Sequence, residues 1–498
     1  MRIPAVTGRA DGKGDLDPRD WAPLRALGHR MLDDMIDSIA QLREEPVWQP
    51  MPDAVRHSWH EPLPDAPTPL EEVYVEFLRR TAPYSSGNRH PAFMGWVQGG
   101  GTAIGMLADM LAAGLNGNLG GRDHAPIACE RQVIRWAAQM LGFPDQASGL
   151  LVTGTSMANM MAVLVARRAR LGPGVRRSGV GQAGLTAYAS AAVHGCIARA
   201  MDFVGLGSDA LRLVASDGEG RMDVTRLREC LEQDRAAGLA PFLLVGTAGT
   251  VDTGAVDDVR TLAEISAAEK LWFHVDAAYG AAAMLSDRLR PLLAGIERAD
   301  SVAFDFHKWL QVPYDAGCLM VRDEKAHRAA FERPAAYLSR EDRGLAGGDF
   351  WPCDYGPDLS RGFRALKVWM TIRTYGTDRL AQVVDQTCDL ARHLATRIEQ
   401  EPLLDLVAPA RLNIVCFRHR LVDDRGQAEI VGDLQEAGIS APSTTTIAGQ
   451  TVIRAAIVNH RTRREDVDVL VDGVLRAATR HRDSPRPDRA DITTALVS

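Results

Sequence analysis

The chain has 498 residues, of which 46% are hydrophobic and 24% are charged, and its formal net charge at pH 7 is -7. These values are typical of an ordinary globular protein of two or three domains, and the net negative charge argues against nucleic acid as the main partner. The seven cysteines form no CxxC pair, so we expect a cytoplasmic protein with reduced thiols, and we expect no membrane span.

The first predicted element is an amphipathic helix between Trp21 and Leu42, where apolar residues recur at spacings of three and four. Proline-rich stretches follow this helix. We therefore expect the leader, residues 1–87, to lie across another surface, either a second subunit or the rest of the same chain.

Short β-rich runs alternate with helical patterns from residue 88 to residue 378, which predicts a mostly parallel seven-stranded sheet with helices on both faces. The seven runs are 149–152, 185–188, 211–214, 242–245, 272–275, 301–304 and 318–321. In an open α/β sheet of this kind, ligands bind at the carboxyl ends of the strands.

A smaller α/β domain is predicted over residues 379–481. A long helical stretch leads into two β-rich runs, 412–417 and 452–458, which are interleaved with helical patterns. The tail, 482–498, is dominated by Arg, Asp and Pro, a composition that predicts disorder.

Two motifs in the middle of the chain indicate chemistry. The sequence His-Val-Asp-Ala-Ala-Tyr-Gly occupies 274–280, and Asp-Phe-His-Lys-Trp-Leu occupies 305–310, so that Lys308 lies 32 positions after Asp276. Pyridoxal phosphate (PLP) needs such a pair, because a lysine forms an imine with the cofactor aldehyde and an aspartate keeps the pyridine nitrogen protonated. We therefore predict a PLP enzyme, and no metal site is evident.

A turn of small residues precedes a predicted helix at 151–159, with the sequence Leu-Val-Thr-Gly-Thr-Ser-Met-Ala-Asn. Backbone N–H groups at a helix start, together with the Thr155 and Ser156 hydroxyls, suit a phosphate dianion. Taken alone, the same residues are explained equally well as an ordinary helix cap.

The order of these motifs resembles the group II PLP-dependent amino acid decarboxylases, the family of aromatic amino acid and glutamate decarboxylases, over roughly residues 26–480. The resemblance implies the fold-type I PLP-dependent transferase fold and a homodimer in which paired subunits build each site. It also implies decarboxylation of an L-amino acid to the corresponding amine and carbon dioxide.

The resemblance further implies roles for individual residues. His194 matches a histidine that stacks on the pyridine ring, and Thr247 matches a threonine-rich turn beside the cofactor. His307 is expected to contact the phosphate or the substrate. Tyr337, 29 positions beyond Lys308, matches a loop tyrosine that protonates the α-carbon, although a merely exposed tyrosine is an alternative.

Two residues bear on the identity of the substrate, and they favour different classes of amino acid. Trp96 lies in a segment, 90–102, that matches the side-chain site of the family and could pack against an aromatic substrate. Arg454 matches an arginine that meets the substrate carboxylate in relatives with acidic substrates, but it could equally be structural. We favour an aromatic L-amino acid and keep an acidic one open.

The chain departs from the family pattern at two places: the family commonly has Glu where this chain has Met157, and Asn-Pro where it has Asp305-Phe306. A second carboxylate near a phosphate would be unfavourable unless it pointed away, so Asp305 has no assigned role. The alternatives to a decarboxylase are a PLP-dependent aldehyde synthase, an aminotransferase and a catalytically silent binding protein on the same fold.

Overall fold

The computed structural model of the protein describes residues 16–332 and 340–482. Its strands are β1 (Ser148–Val152), β2 (Leu185–Ser190), β3 (Leu211–Val214), β4 (Ala240–Thr247), β5 (Trp272–Asp276), β6 (Ser301–Asp305), β7 (Gly317–Val321), β8 (Leu404–Leu406), β9 (Ile414–His419), β10 (Ser443–Ile447) and β11 (Gln450–Ala456). Its α-helices are α1 (Trp21–Ala40), α2 (Asp53–His57), α3 (Leu70–Arg80), α4 (Ala103–Leu115), α5 (Ala125–Leu141), α6 (Thr155–Leu171), α7 (Val175–Ser178), α8 (Cys196–Phe203), α9 (Val224–Ala236), α10 (Val259–Glu269), α11 (Glu324–Phe331), α12 (Arg364–Gln400), α13 (Asp424–Glu436) and α14 (Arg464–Arg482).

The large sheet contains all seven predicted strands, in the order β1-β7-β6-β5-β4-β2-β3. The strands from β6 to β3 pair in parallel, whereas β7 is antiparallel to both β1 and β6. The predicted fold class, a mostly parallel seven-stranded α/β sheet, is therefore confirmed.

Both faces of the sheet are covered, because alternate residues of a strand point to opposite sides. In β4, Leu243 and Val245 pack in one apolar cluster with Met201 of α8. Leu244 belongs to a second cluster, which includes Leu262 of α10. Apolar residues fill both sides of these strands, as their uninterrupted apolar sequences require.

The carboxyl ends of the central strands meet at one edge of the sheet. The parallel register places Thr247 of β4 beside Asp276 of β5, and Asp276 beside Ala303 of β6. Asp305 ends β6 at the same edge. The polar residues singled out in the sequence are therefore brought together by strand direction alone.

The smaller sheet is antiparallel and has the order β10-β11-β9-β8. Its apolar face packs against α12, α13 and α14. The prediction of two strands here was incomplete, because β8 has only three residues and β10 has the polar sequence Ser-Thr-Thr-Thr-Ile. The long helix α12 is kinked at Gly376, where φ is 69°. The predicted domain boundary at 378/379 lies two residues later and remains a prediction.

The predicted leader helix is present as α1, and none of its residues is buried within the chain. The Tyr74 hydroxyl of α3 donates to Asp34 of α1 at 2.6 Å, so the two helices form one unit. Within the described ranges, none of the helices is both long and apolar enough to cross a membrane. Apart from Arg482, which ends α14, the predicted disordered tail lies outside the described residues.

Candidate active site

Asp276 lies at the carboxyl end of β5 and is only 3% exposed. Its Oδ2 accepts a hydrogen bond from Asn159 Nδ2 at 3.0 Å, and its Oδ1 accepts one from the backbone N–H of Ala278 at 3.1 Å. Burial raises the pKa of this carboxyl, while the nearby charge of Lys308 and the two hydrogen bonds lower it. A cation placed against Asp276 would therefore be strongly favoured.

Lys308 follows β6 and makes an ion pair with the residue that ends that strand. Its Nζ lies 2.8 Å from Oδ2 of Asp305, a carboxylate that is 3% exposed. The Oδ1 of Asp305 accepts the backbone N–H of Thr155 at 2.8 Å. Asp305, which has no predicted role, therefore contacts both the lysine and the start of α6.

His307 is buried beside this ion pair. Its Nδ1 accepts the backbone N–H of Ala316 at 3.0 Å, and its ring packs on Tyr314 with 4.2 Å between centroids. Burial lowers the pKa of His307, so the ring is held neutral with its proton on Nε2. That nitrogen lies 3.7 Å from Asp305 Oδ2.

Two buried hydroxyls, one at the start of α6 and one at the end of β4, have no hydrogen-bond partner among the described residues. Helix α6 begins after Gly154, which provides no side-chain cap. The Oγ1 atoms of Thr155 and Thr247 are buried and make no hydrogen bond in the part of the chain that the structure describes. Ser156, the next residue of α6, is exposed. Because buried hydroxyls are almost always paired, these orphaned atoms fit a polar ligand such as a phosphorylated cofactor.

His194 lies in the loop between β2 and α8 and is exposed. Its Nδ1 accepts the backbone N–H of Cys196 at 3.2 Å, which fixes one edge of the ring. An exposed imidazole held in this way is compatible with stacking on a flat aromatic ring.

Comparison with known proteins agrees with this geometry. Residues 52–420 match the model of the pyridoxal-dependent decarboxylase conserved domain. The chain belongs to this family. It is 32% identical to the aromatic-L-amino-acid decarboxylase of Bacillus atrophaeus, over 89% of this chain and 93% of that one. It is also 32% identical to the L-2,4-diaminobutyrate decarboxylase of Rhizobium meliloti, over 83% of each chain.

A solved structure of Oryza sativa TDC with PLP and tryptamine superposes with a TM-score of 0.85 and 26% identity, covering 94% of this chain and 99% of the other. The enzyme is thus a PLP-dependent carboxy-lyase of the group II decarboxylases, and PLP is its cofactor. The family prediction and the cofactor prediction are confirmed.

In this decarboxylase, the predicted substrate residues Trp96 and Arg454 are joined through Ser443 of β10. The Trp96 backbone N–H lies 3.3 Å from Ser443 Oγ, and Arg454 Nη1 lies 3.2 Å from the same oxygen. Arg454 is buried and donates through Nε to the backbone oxygen of Asp252, while its buried Nη2 has no partner in the ranges 16–332 and 340–482. Its described contacts include neither Asp276 nor Lys308.

The segment that carries Trp96 packs directly on the lysine loop of the enzyme. A Cβ on Gly99 would lie 2.4 Å from the backbone oxygens of both His307 and Lys308, so only glycine fits. The backbone N–H of Gly100 donates to Gln311 Oε1 at 3.3 Å, and Gln311 Nε2 donates to the Val458 carbonyl at 2.7 Å. Gln311 thus connects this segment and the lysine loop to the smaller sheet.

The segment 360–369, which precedes and begins α12, contains one partner of a buried ion pair. Arg361 Nη2 lies 2.6 Å from Glu130 of α5 and also donates to the Leu151 carbonyl of β1 at 2.7 Å. Its Nη1 donates to the Leu119 carbonyl at 3.0 Å. Since both charged side chains are almost fully buried, Arg361 is a structural residue that holds the end of β1.

Two outcomes remain for the predicted site. Tyr337 lies in 333–339, outside the described residues, so its predicted role stays a prediction. Asn159, which the sequence reasoning did not select, contacts Asp276 directly. The available signal was its position four residues after Thr155 on α6, one helical turn behind the proposed phosphate site.

Proposed function

We propose that this enzyme decarboxylates an aromatic L-amino acid to the corresponding amine. The observation that carries the proposal is the arrangement at the sheet edge, where the buried Asp276 ends β5 and Lys308 follows β6, the neighbouring parallel strand. When bound, PLP supplies an aldehyde for the lysine and a ring that accepts the electron pair left by carbon dioxide.

Each residue around that edge has a defined task in this proposal. Asp276 holds a proton at the pyridine nitrogen, because a carboxylate with little access to water favours an adjacent cation. The ring of His194 covers the pyridine. Thr155 and Ser156, with the N–H groups at the start of α6, bind the phosphate, and Thr247 donates its unpartnered hydroxyl.

Lys308 and His307 act at the other side of the site. Lys308 holds the cofactor, gives way to the substrate amine, and then releases the product. His307 presents its Nε2–H beside Asp305, where it can donate to the phosphate or the substrate carboxylate. Tyr337 delivers a proton to the α-carbon, which separates amine formation from the chemistry of an aldehyde synthase.

Trp96 supports an aromatic substrate. Its side chain is 54% exposed although it lies three residues before Gly99, which packs on the lysine loop. The residue has a positive φ of 48°, so the backbone is held in an unusual conformation that presents the indole. Arg454 is the alternative determinant, since its free Nη2 would suit an acidic side chain.

The test is the mass of the products formed from a panel of L-amino acids by the PLP-loaded enzyme. We expect an amine from an aromatic substrate, and loss of turnover on the order of 10⁴-fold or more in Lys308→Ala. Tyr337→Phe should shift the product from amine towards aldehyde.

Other products have defined meanings. If only an acidic substrate gave an amine, Arg454 and not Trp96 would be the residue that determines substrate specificity. Aldehyde or keto acid from the unmodified enzyme would refute the proposed role of Tyr337. Sustained amine production by Lys308→Ala would refute the assignment of the lysine.

We also propose a homodimer in which the leader covers the partner subunit. Helix α1 buries none of its residues, and Trp21, Ile36, Val73 and Phe77 on α1 and α3 are all more than a third exposed. An uncovered apolar surface of this kind marks an interaction site. Sedimentation velocity should give twice the mass of the chain, and a monomer at micromolar concentration would contradict the proposal.

The proposed location is the cytoplasm. All seven cysteines lie among the described residues and none forms a disulfide, as expected of a protein in a reducing compartment. Recovery of the enzyme by osmotic shock of intact cells would contradict this proposal.

A further inference from the structure

A buried chain of hydrogen bonds, formed by residues of β5, β6 and α6, leads to the carboxylate of Asp276. Trp272, His274 and Asp276 alternate along β5 and therefore point to the same face of the sheet. Register pairs His274 with Ser301 of the neighbouring strand β6. Asn159 of α6 lies over this face and contacts both His274 and Asp276.

The distances are those of good hydrogen bonds throughout. Trp272 Nε1 lies 2.8 Å from Ser301 Oγ, and Ser301 Oγ lies 2.9 Å from His274 Nδ1. His274 Nε2 lies 2.8 Å from Asn159 Oδ1, and Asn159 Nδ2 lies 3.0 Å from Asp276 Oδ2. His274, Asn159 and Ser301 are completely buried, so water does not compete for these bonds.

Chemistry fixes the direction of every bond. The Trp272 indole can only donate, so Ser301 accepts from it and gives its own proton to His274 Nδ1. Burial lowers the pKa of His274 to about 4, which keeps the ring neutral and leaves its proton on Nε2. Asn159 accepts that proton on Oδ1 and donates through Nδ2 to the carboxylate, which can only accept. All four donors therefore point towards Asp276.

We propose that Asn159 and His274 are positioning residues that hold Asp276 as an oriented anion for the pyridine nitrogen of the cofactor. This inference rests on the proposed role of Asp276. Hydrogen bonds arranged head to tail polarise one another, so each donor strengthens the next. The hydrogen-bond chain opposes the effect of burial, which disfavours the charged form of the Asp276 carboxyl group. It occupies Oδ2 and fixes the plane of the carboxyl group.

The experiment compares two ligands on apoenzyme: PLP, and an analogue whose ring nitrogen is replaced by C–H. Asn159→Leu approximately keeps the shape of the side chain and removes its hydrogen bonds to His274 and Asp276. We expect the variant to bind PLP about 10- to 100-fold more weakly, as for loss of a hydrogen bond to a charged group. Its affinity for the analogue should stay within about twofold of the unmodified value.

Two further variants keep the test decisive. Tyr188→Phe is a matched control, because it removes a buried 2.6 Å hydrogen bond from β2 of the same sheet to Asp234 of α9 and should change neither affinity. Ser301→Ala removes a more distant link and should weaken PLP binding about threefold. That smaller loss should disappear in the Asn159→Leu background, because Ser301 acts only through Asn159.

Three results would overturn the proposal. Equal weakening of both ligands by Asn159→Leu would indicate a general structural role. Unchanged PLP affinity in that variant would show that the chain does not support Asp276. If the unmodified enzyme failed to discriminate PLP from the analogue, the role of Asp276 itself would be refuted, which is a failure of the proposed function and is distinct from the other two.

Discussion

Two carboxylates end neighbouring parallel strands of the large sheet, and their surroundings differ. Asp276 ends β5 and Asp305 ends β6, and each is 3% exposed. The hydrogen-bond donors to Asp276 are neutral groups, namely Asn159 and a backbone N–H. Asp305 already has a cation at 2.8 Å, the ammonium of Lys308.

The two buried carboxylates therefore differ in whether the protein itself places a cation in contact with them. A buried carboxylate without a cation in contact is unfavourable until one arrives, and a protonated pyridine nitrogen would serve at Asp276. Asp305 has its counter-charge within the protein, but it also accepts the first N–H of α6. In the proposed site the negative charge of Asp305 lies beside the phosphate, so we expect Asp305 to weaken binding of the cofactor that Asp276 is proposed to attract.

The largest expected effect comes from neutralising the first carboxylate. In Asp276→Asn the side chain keeps its size but no longer favours a proton on the ring nitrogen, so we expect kcat to fall about 100-fold or more. Steady-state kinetics with saturating PLP would measure this loss. Asp234→Asn is the control, because Asp234 is also a buried carboxylate of this domain but contacts Tyr188 and Arg212. If the kcat of Asp276→Asn stayed within a few-fold of that of the unmodified enzyme, Asp276 would not have its proposed role, and the contrast between Asp276 and Asp305 would fail.

The sequence was sufficient to predict the sheet edge but not the contacts behind it. Most of the seven strands were predictable because strands buried on both faces are continuous apolar runs, and Asp276 ends one of them while Lys308 follows another. Strand β10 was missed because its sequence is polar and its pairing depends on β11. Asn159 was missed because its role depends on how α6 crosses β5, which local pattern does not encode.

The orientation of Asp305 was beyond prediction for a similar reason. Residues 305–308 fold back so that the carboxylate meets the lysine three positions later, while α6, from a distant part of the chain, supplies the Thr155 N–H. Both contacts depend on tertiary structure. A carboxylate that would be unfavourable next to a phosphate is tolerated because the adjacent lysine compensates it.

A smaller effect in the opposite direction is expected at the second carboxylate. Asp305→Asn removes the ion pair that holds Lys308 and the negative charge beside the start of α6. We therefore expect apoenzyme to bind PLP about 10-fold more tightly, which corresponds to about 1.4 kcal/mol of relieved repulsion and competition. Titration of protein fluorescence with PLP would measure the dissociation constant.

Ionic strength sharpens this last prediction, since the proposed repulsion is electrostatic. The gain in affinity should shrink at high salt, although less than for exposed charges because Asp305 is buried. Asp315→Asn is a suitable control, because Asp315 lies between Lys308 and β7, pairs with Arg364 of α12 and has no described contact with Lys308 or Thr155. Weaker PLP binding by Asp305→Asn would mean that the carboxylate helps to place the lysine for the cofactor. In that case the two strand ends would act together, and the contrast drawn from their contacts would fail.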